Sequence, residues 1–539
     1  MTTAFPCPIM RPMRRLLPTG IQDFVKIREG GYAYADKTAR IHRLITGSEG
    51  VYFLSRPRRF GKSLLCSTLG AVFEGRRDLF GGLAIDSLKW EWKKHPVIRI
   101  DLNPGDYSGG IETLEDILRN SLENSAISLG LSLRGNIPSS QFLSLIQDAH
   151  RKHGERVAVI IDEYDKPLLG TIDMGDLREK ILKALKGFYG ALKTADPHLK
   201  FVFLTGVTKF SHVSIFSDLN HLSDLTLDPD YADVCGITQE ELEVSFAPEI
   251  EAVLKETGKS RGEYLEKLRR YYNGYRFSEK PLRVYNPFGL LSHFGKKGKF
   301  ASYWYETGTP TFLVKLILGQ KINIVELGNL RVGFDDFRKY DIENMSAAPL
   351  LYQSGYLTIS DYDEKRERFT LDYPNDEVRS CFAKSLLEHY APAPELSSGS
   401  LPMRLYDALL DGDVDSAMDA LKRFFAAIPY DIIKESENYY QTAIHLIFTM
   451  LGLRCRSEAR IAAGRIDALV ETDELVYCFE FKLCKGGGKP CAEEALAQID
   501  AKEYLLPWEG SGKRLVKVGV SFDSEKRNIG EWKAAGHLR

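Results

Sequence analysis

The segment from Val51 to Leu65 constrains the fold most, because it joins a strand, a loop and a helix within a few residues. The apolar run Val51–Leu54 leads into a loop that closes on Gly61-Lys62-Ser63, and an apolar-periodic helix pattern follows. Backbone N–H groups at a helix N-terminus attract anions, because they lack partners and lie at the positive end of the helix dipole. The segment therefore predicts a phosphate-binding loop.

One position of this loop departs from the usual pattern. Arg56 stands five residues before Gly61, where a glycine normally supplies a permissive backbone. Arg56 and Pro57 both restrict the backbone there. Arg58 and Arg59 could compensate by touching phosphate, or they could stay solvated or bind acidic groups of a lid.

Strands alternate with helices from residue 17 to about 230. Short strands are predicted at Val51–Ser55, Val97–Leu102, Val157–Asp162 and Phe201–Gly206, with helices such as Thr113–Leu129 and Leu177–Lys193 between them. Alternation of this kind predicts a parallel sheet with helices on both faces.

The strand Val157–Asp162 runs into two carboxylates, Asp162 and Glu163. Ligands of open α/β sheets lie at the carboxyl ends of strands. We expect Asp162 and Ser63 to hold Mg²⁺, Lys62 to reach the outer phosphates and Glu163 to polarise the attacking water. The alternative is a charged strand end without chemistry. Thr205 could sense the γ-phosphate or could simply cap its strand.

The middle of the chain is mostly helical. Helices are predicted over Ile237–Lys255, beginning at Thr238, and over Arg261–Tyr272, ending at Asn273-Gly274. A hairpin at 356–371 suggests a winged-helix-like connector, and 392–402 reads as a linker. The predicted division is a tail over 1–16, an α/β core over 17–230, a helical lid over 231–310, a connector over 311–430 and an α/β module over 431–539.

The last module is predicted to begin with the helix Glu437–Leu451, which strands and a second helix follow. Asp467 lies in one of its strands, and Glu480 and Lys482 lie in the next. Residues i and i+2 of a strand share a face, so Glu480 and Lys482 point the same way, and a neighbouring strand can place Asp467 beside them. Two carboxylates and a lysine on one face can hold Mg²⁺ and activate water. Alternatively, they are ordinary surface charges.

Other residues could add to this second site. Glu437 and Glu458 could supply a further ligand, and Gln498 and Lys502 could face the site from one helix. Residues 431–539 contain 16 Lys and Arg against 17 Asp and Glu, so nucleic acid would have to bind local clusters such as Lys482, Lys485 and Lys489.

Residues 17–310 resemble the prokaryotic AAA-ATPase-like domain that often precedes a nuclease-like domain. The motifs that carry the resemblance are LPTGIQDF (17–24), YADKT (34–38), RPRRFGKS (56–63), IIDEYD (160–165), LTGVTKFS (204–211), IFSDLNHLSDLT (215–226), YYNGYRF (271–277) and VYNP (284–287). The resemblance makes Arg56 a family trait and implies a P-loop fold of the ASCE type with a lid. It implies ATP and Mg²⁺ at Arg59, Phe60, Gly61, Lys62, Ser63, Leu64, Asp162 and Thr205, with Glu163 catalytic.

Residues 431–539 resemble the PD-(D/E)XK nuclease superfamily through G-R-I-D, E-F-K and Q-I-D-A-K-E-Y. The resemblance implies a restriction-endonuclease-like α/β domain. Asp467 and Glu480 would then be ligands of Mg²⁺ or Mn²⁺, and Lys482 and Gln498 would be catalytic. Ile466 stands where the superfamily often has proline.

The two resemblances together predict an ATPase coupled to a metal-dependent DNA nuclease, in defence, mobile-element maintenance or DNA processing. A STAND-type ATP/ADP switch and a non-enzymatic binding protein are the alternatives. A homo-oligomer could supply an arginine finger, with Arg269, Arg270 and Arg276 as candidates. No apolar run reaches the ~20 residues of a membrane span, and the eight Cys contain no C-x-x-C pair. We therefore expect reduced thiols and a cytoplasmic protein that does not bind membranes.

Overall fold

The computed structural model describes most of the chain. The described residues are 15–209, 222–307, 311–320, 322–333, 347–393, 400–430, 432–433, 436–461, 464–484 and 491–536. Almost all of the predicted tail, parts of two family motifs and of the linker, and the loop with Lys485 and Lys489 lie outside these residues.

The chain forms two compact units, and neither is continuous in sequence. The first comprises Met1–Trp304 and Arg331–Pro374, and the second comprises Tyr305–Leu330 and Asn375–Arg539. The predicted connector over 311–430 is therefore shared between the units. The five-part division of the sequence is finer than this one and stays a prediction.

The first unit contains the predicted parallel sheet. Its strands are β1 (Val51–Ser55), β2 (Val97–Asp101), β3 (Val157–Asp162), β4 (Leu199–Gly206) and β5 (Leu222–Asp224). They lie in the order β2-β3-β4-β1-β5, and all neighbours are parallel. The strands β1 and β3 are buried along their whole length, which explains their unbroken apolar sequences. The β1 and β3 strands lie on either side of β4, so the loop after β1 and the carboxylates after β3 share one end of the sheet.

Helices of the first unit either pack around this sheet or form the predicted lid. They are α1 (Phe24–Glu29), α2 (Thr38–Thr46), α3 (Lys62–Phe73), α4 (Ile111–Ser128), α5 (Pro138–His153), α6 (Lys166–Leu169), α7 (Gly175–Thr194), α8 (Gln239–Ser245), α9 (Ala247–Thr257), α10 (Arg261–Tyr272) and α11 (Pro287–Gly295). The predicted lid comprises α8 to α11. The single helix predicted over Ile237–Lys255 is wrong, because α8 ends before Phe246 and α9 begins with Pro248 in its first turn. Proline lacks the N–H that would continue α8.

Capping fixes the starts of two lid helices. Thr238 and Glu241 form a capping box at α8, as the sequence suggested for its beginning. Ser260 and Glu263 form a second one at α10. The lid helices bury their apolar faces against one another around residues such as Leu242, Leu268 and Leu290. The lid is therefore a packed helical layer with its own core.

The segment 331–374 completes the first unit. It contains α13 (Ala347–Ser354) and the strands β7 (Thr358–Asp363) and β8 (Arg368–Asp372), which form the predicted hairpin. A short strand, β6 (Leu330–Gly333), joins them in the order β6-β8-β7.

The second unit combines helices with a mixed sheet. Its helices are α12 (Thr311–Gly319), α14 (Asp376–Tyr390), α15 (Ser400–Asp411), α16 (Val414–Ala426), α17 (Glu437–Met450) and α18 (Ala492–Ala501). Its strands are β9 (Arg454–Ile461), β10 (Gly464–Glu471), β11 (Leu475–Cys484), β12 (Arg514–Asp523) and β13 (Asn528–Gly536). The order is β13-β12-β11-β10-β9, and only β11 and β12 run parallel. Within the described ranges, no helix has the length and apolar character needed to cross a membrane.

Candidate functional sites

The phosphate-binding loop connects β1 to α3 with an unusual backbone. Arg59 (φ 65°) and Gly61 (φ 92°) both adopt left-handed conformations, and Gly61 is the N-cap of α3. A left-handed non-glycine residue costs free energy that the surrounding structure must supply. The Phe60 side chain between them is buried, with its ring against Tyr275 (4.7 Å) and Phe277 (5.4 Å). Phe60 thus anchors the loop to the segment after α10.

Arg56 points into the protein rather than toward a phosphate site. Its side chain is fully buried, and its two terminal nitrogens donate to the carbonyl oxygens of Ser55 (2.8 Å), Thr226 (2.9 Å) and Tyr231 (3.0 Å). The guanidinium also lies 4.2 Å from the centre of the Phe277 ring. Burial lowers the pKa of Arg56. Where other phosphate loops have a flexible glycine, this chain has a cation that ties the loop to the chain segment after β5.

The other two arginines of the loop are exposed. Arg59 places its guanidinium 4.9 Å from the ring of Phe288, in the lid helix α11. The Arg58 carbonyl oxygen accepts a hydrogen bond from the indole Nε1 of Trp304 (3.0 Å). Among the described residues, neither arginine forms a salt bridge with an acidic side chain of the lid, and their contact with phosphate stays a prediction. The contact from Arg59 to the lid is aromatic.

Lys62 and Ser63 meet the two carboxylates at the end of β3. Lys62 Nζ lies 3.2 Å from Glu163 Oε1 and donates to the carbonyl oxygens of Arg56 (3.1 Å) and Pro57 (3.3 Å). The Ser63 hydroxyl lies near the Asp162 carboxylate and acts to lower the pKa of Asp162. Burial has the larger and opposite effect, so that the pKa of Asp162 rises to about 6. The sequence-predicted residues of this site are therefore adjacent.

Glu163 and Thr205 have defined conformations beside them. Glu163 is left-handed (φ 51°), and its N–H donates to Asp162 Oδ1 (3.0 Å). The Thr205 hydroxyl is buried and donates to the Leu54 carbonyl oxygen (2.8 Å). This hydrogen bond joins β4 to the neighbouring strand β1. The sensor role of Thr205 stays a prediction.

Two aspartates beside this site were not identified from the sequence. Asp101 ends β2 and pairs in register with Asp162. Asp165 is fully buried and accepts hydrogen bonds from Val207 N–H, Thr208 N–H and the Thr208 hydroxyl, and burial raises its pKa to about 6. The acidic end of the predicted strand Val97–Leu102 could have revealed Asp101. Asp165 shapes the turn after β4, which sequence alone does not show.

An apolar pocket lies next to the loop. It has a volume of about 90 Å³ and is lined by loop and helix residues Phe60, Gly61 and Leu64, and by Tyr34, Ile237 and Leu291 from other segments of the first unit. Its lining is mostly apolar.

The second unit brings Asp467, Glu480 and Lys482 together. Ala468 pairs with Phe479, so Asp467 and Glu480 are the next residues on β10 and β11. Lys482 Nζ lies 3.4 Å from Glu480 Oε1, and Asp467 Oδ2 accepts from Phe481 N–H (2.9 Å). Both carboxylates are buried, whereas the Lys482 side chain is 32% exposed.

Glu480 retains one oxygen without a hydrogen-bond donor. Gln498 Nε2, from α18, bonds to Glu480 Oε1, while Glu480 Oε2 is buried and unpaired. Burial, with the charge of Asp467 as a second cause, raises the pKa of Glu480 to about 7. Burial also raises the pKa of Asp467. A divalent cation would remove both penalties, so the residues fit one. The described part of the chain contains no cluster of three His, Cys, Asp or Glu that could hold a metal, so water or substrate oxygens would complete the coordination.

The sequence proposed three further residues for this site, and the structure shows one of them, Glu437, to lie close to it. Glu437 Oε2 accepts from Leu483 N–H (3.2 Å), which places this helix residue next to β11. Glu458 lies in β9. Lys502 follows the end of α18, and its side chain is exposed.

The prediction that all thiols are reduced is wrong for one pair. Cys484 and Cys491 form a disulfide, because the end of β11 and the residue before α18 lie side by side with their Cα atoms 6.5 Å apart. The other cysteines that the structure describes, Cys66, Cys235, Cys381, Cys455 and Cys478, are not in disulfides. The Cys491 N–H also donates to the Ser521 hydroxyl (3.3 Å).

Of the three arginine-finger candidates, Arg276 is buried. It donates to the carbonyl oxygens of Ser278 (2.9 Å), Glu279 and Ser360 (3.3 Å). Arg269 pairs with Glu266 at 2.8 Å and is exposed. A role in a neighbouring subunit's site would therefore fit Arg276 poorly.

Comparison with known proteins identifies a family for a part of each unit. Residues 18–216 match the family model described as "Predicted AAA-ATPase", and residues 435–532 match that of the PD-(D/E)XK nuclease superfamily. A relative from Azotobacter chroococcum mcd 1, named "Uncharacterized protein in vnfD 5'region", is 37% identical over 530 residues, which cover 96% of this chain and 98% of the relative. The chain therefore belongs to the family of proteins that join an AAA-ATPase-like domain to a C-terminal PD-(D/E)XK nuclease superfamily domain.

Proposed function

We propose that the first unit binds and hydrolyses ATP with Mg²⁺, and that the second unit is a metal-dependent phosphodiesterase that cleaves DNA under the control of the nucleotide. The observation that carries the first half is the ion pair of Lys62 with Glu163, next to Ser63 and Asp162 at the same end of the sheet. The unpaired buried oxygen of Glu480 carries the second half.

In the nucleotide site, Lys62 is the group that must change partners. Its ammonium is only 3% exposed and is shared between Glu163 and two carbonyl oxygens of its own loop. Lys62 would turn from Glu163 to phosphate oxygens, and Glu163 would then be free to orient a water molecule. Ser63 and Asp162 would hold Mg²⁺, which neutralises phosphate charge. The apolar pocket beside Gly61 and Leu64 would take the adenine.

In the nuclease-like site, Asp467 and Glu480 would hold Mg²⁺ or Mn²⁺, which stabilises charge on the scissile phosphate. Lys482 would orient or activate a water molecule, because its ammonium lies beside Glu480 while part of its side chain remains open to solvent. Gln498 fixes Glu480 from α18. We favour DNA as the substrate and DNA processing, such as defence or mobile-element maintenance, as the role.

Two measurements test this function. Titration calorimetry with ATP and Mg²⁺ should detect binding to the wild type and not to Lys62→Ala. Incubation with DNA and Mg²⁺ or Mn²⁺ should give cleavage that Lys482→Ala abolishes. Lys517→Ala is the matched control, since Lys517 lies on the neighbouring strand β12 and pairs with Asp500. The nuclease assignment would be overturned if the wild type and Lys482→Ala behaved alike on DNA and also behaved alike on RNA.

The ion pair between Lys62 and Glu163 also supports a second function, a slow STAND-type switch. A lysine that is already paired with the water-orienting Glu163 must break that pair in each cycle. Single-turnover hydrolysis with tightly retained ADP would favour the switch. Multiple rapid turnovers would exclude it.

A further inference from the structure

Trp304 holds the outer side of the phosphate-binding loop. Its side chain is 5% exposed, and its indole N–H donates to the Arg58 carbonyl oxygen at 3.0 Å. The ring also packs against Tyr356, with centroids 5.4 Å apart. Gly355 (φ 90°) meets the same loop, because a Cβ atom there would lie 2.8 Å from Pro57 Cβ. A shift of the loop backbone would therefore displace the Trp304 side chain or break its hydrogen bond to Arg58.

The next residue, Tyr305, is the first residue of the second unit. Its N–H donates to Glu377 Oε1 (3.4 Å), and its hydroxyl is hydrogen-bonded to Ser385 Oγ (2.7 Å). Glu377 and Ser385 are buried residues of α14. One peptide bond thus joins a residue bonded to the phosphate-binding loop to a residue bonded to α14.

The chain enters α14 from the first unit as well. Pro374 ends that unit, and its carbonyl oxygen abuts Gly274, where a Cβ atom would lie 1.8 Å away. Asn375 follows as the N-cap of α14 and accepts from Val378 N–H (3.1 Å). The helix α14 therefore follows directly on one segment of the first unit, and it is bonded to Tyr305, the residue that follows the other segment.

The helix α14 packs along α17 in the second unit. Tyr390 and Tyr439 stack there with centroids 5.2 Å apart. The first residue of α17 is Glu437, which accepts from Leu483 N–H, next to Lys482. The contacts from α14 therefore end at the nuclease-like site.

We propose that Trp304, Tyr305 and α14 transmit the occupancy of the nucleotide site to Asp467, Glu480 and Lys482. This inference rests on the proposed nucleotide site. Phosphate would bind the backbone N–H groups and the Lys62 ammonium of this loop. The indole N–H of Trp304 donates to the Arg58 carbonyl oxygen of the same loop, so the loop cannot rearrange without moving or releasing Trp304. Rigid helices and packed side chains can carry such a change over long distances.

Hydrogen–deuterium exchange on the full-length protein tests the relay. A non-hydrolysable ATP analogue with Mg²⁺ should change exchange in α14 and at the start of α17 in the wild type by about fivefold or more. Trp304→Phe, measured at analogue concentrations that saturate it, should lose most of this change, because phenylalanine keeps an aromatic ring but has no N–H donor. Trp532→Phe is the matched control, since its indole N–H donates to Asp415 (2.8 Å), and it should respond like the wild type.

The outcomes separate this inference from the proposed function. Absence of analogue binding in calorimetry would overturn the nucleotide site and the relay together. Binding without any response in α14, or a full response in Trp304→Phe, would overturn the relay alone. Tyr305→Phe, which loses only the hydroxyl bond to Ser385, provides a second, milder variant and should reduce the response by about half.

Discussion

The two candidate sites both bury acidic groups, but they compensate them differently. In the first unit, Asp162 lies near the Ser63 hydroxyl and Glu163 is paired with Lys62. In the second unit, Glu480 keeps an unpaired buried oxygen and a pKa near 7. A site that satisfies its own charges must exchange internal contacts for its ligand. On the proposed function, a divalent cation would complete the site that does not.

Loss of the two lysines gives the largest expected effects and separates the sites. Lys62→Ala should weaken ATP binding by at least about 100-fold, because it removes the ammonium that would pair with the outer phosphates in place of Glu163. Lys482→Ala should reduce DNA cleavage by at least about 100-fold while ATP binding stays intact. Calorimetry and a gel assay on both variants measure this. Equal loss of both activities in each variant would contradict two separate sites.

Arg56 tests whether the first unit depends on the hydrogen bonds of a buried charged side chain. Arg56→Gly restores the residue usual in phosphate loops, but it removes three hydrogen bonds to buried carbonyls and leaves a cavity. We expect a loss of about 3 kcal/mol in the free energy of unfolding of the first unit. Urea denaturation measures it, with Arg58→Gly, at an exposed position, as the control. A variant as stable as the wild type would show that the buried guanidinium is dispensable.

Two Glu→Gln variants, one in each site, compare how each buried carboxylate affects the melting temperature. Without metal at pH 8, Glu163→Gln should lower the melting temperature by a few degrees, because it breaks the pair with Lys62. Glu480→Gln should raise it by a few degrees, because a neutral amide replaces a carboxylate that burial destabilises. Differential scanning calorimetry measures both shifts. The comparison fails if the two shifts have the same sign.

The pH dependence is the smallest expected effect. Since the pKa of Glu480 is raised from its usual value near 4.5 to about 7, the native state retains a proton that the unfolded state loses between these values. Metal-free stability should therefore fall as the pH rises from 5 to 7. Asp162 and Asp165 act in the same direction, so Glu480→Gln should flatten the slope only in part. Melting curves at several pH values measure it, and an unchanged slope in Glu480→Gln would refute the assignment.

The sequence predicted the sheet of the first unit well, and the physical reason is simple. Buried parallel strands read as unbroken apolar runs, so β1 and β3 match their predicted bounds. The meeting of Lys62 and Ser63 with Asp162 and Glu163 follows from strand order. The destination of the Arg56 side chain does not, because Thr226 and Tyr231 come some 170 residues later in the chain.

Local patterns were also insufficient in the second unit. The strands with Asp467 and Glu480 were predicted, since they carry dense apolar runs. The strand β13 was missed, because its partly exposed sequence has no clear alternation. The disulfide of Cys484 and Cys491 depends on the proximity of two chain segments that spacing alone does not reveal.

The most direct test of the comparison is Mn²⁺ binding in the absence of nucleotide, measured by electron paramagnetic resonance on the full-length protein. The proposed sites predict at least one bound ion per chain that Glu480→Gln and Asp467→Asn abolish and Glu163→Gln retains. No bound ion in the wild type, or equal loss in Glu163→Gln, would contradict a metal site at Asp467 and Glu480.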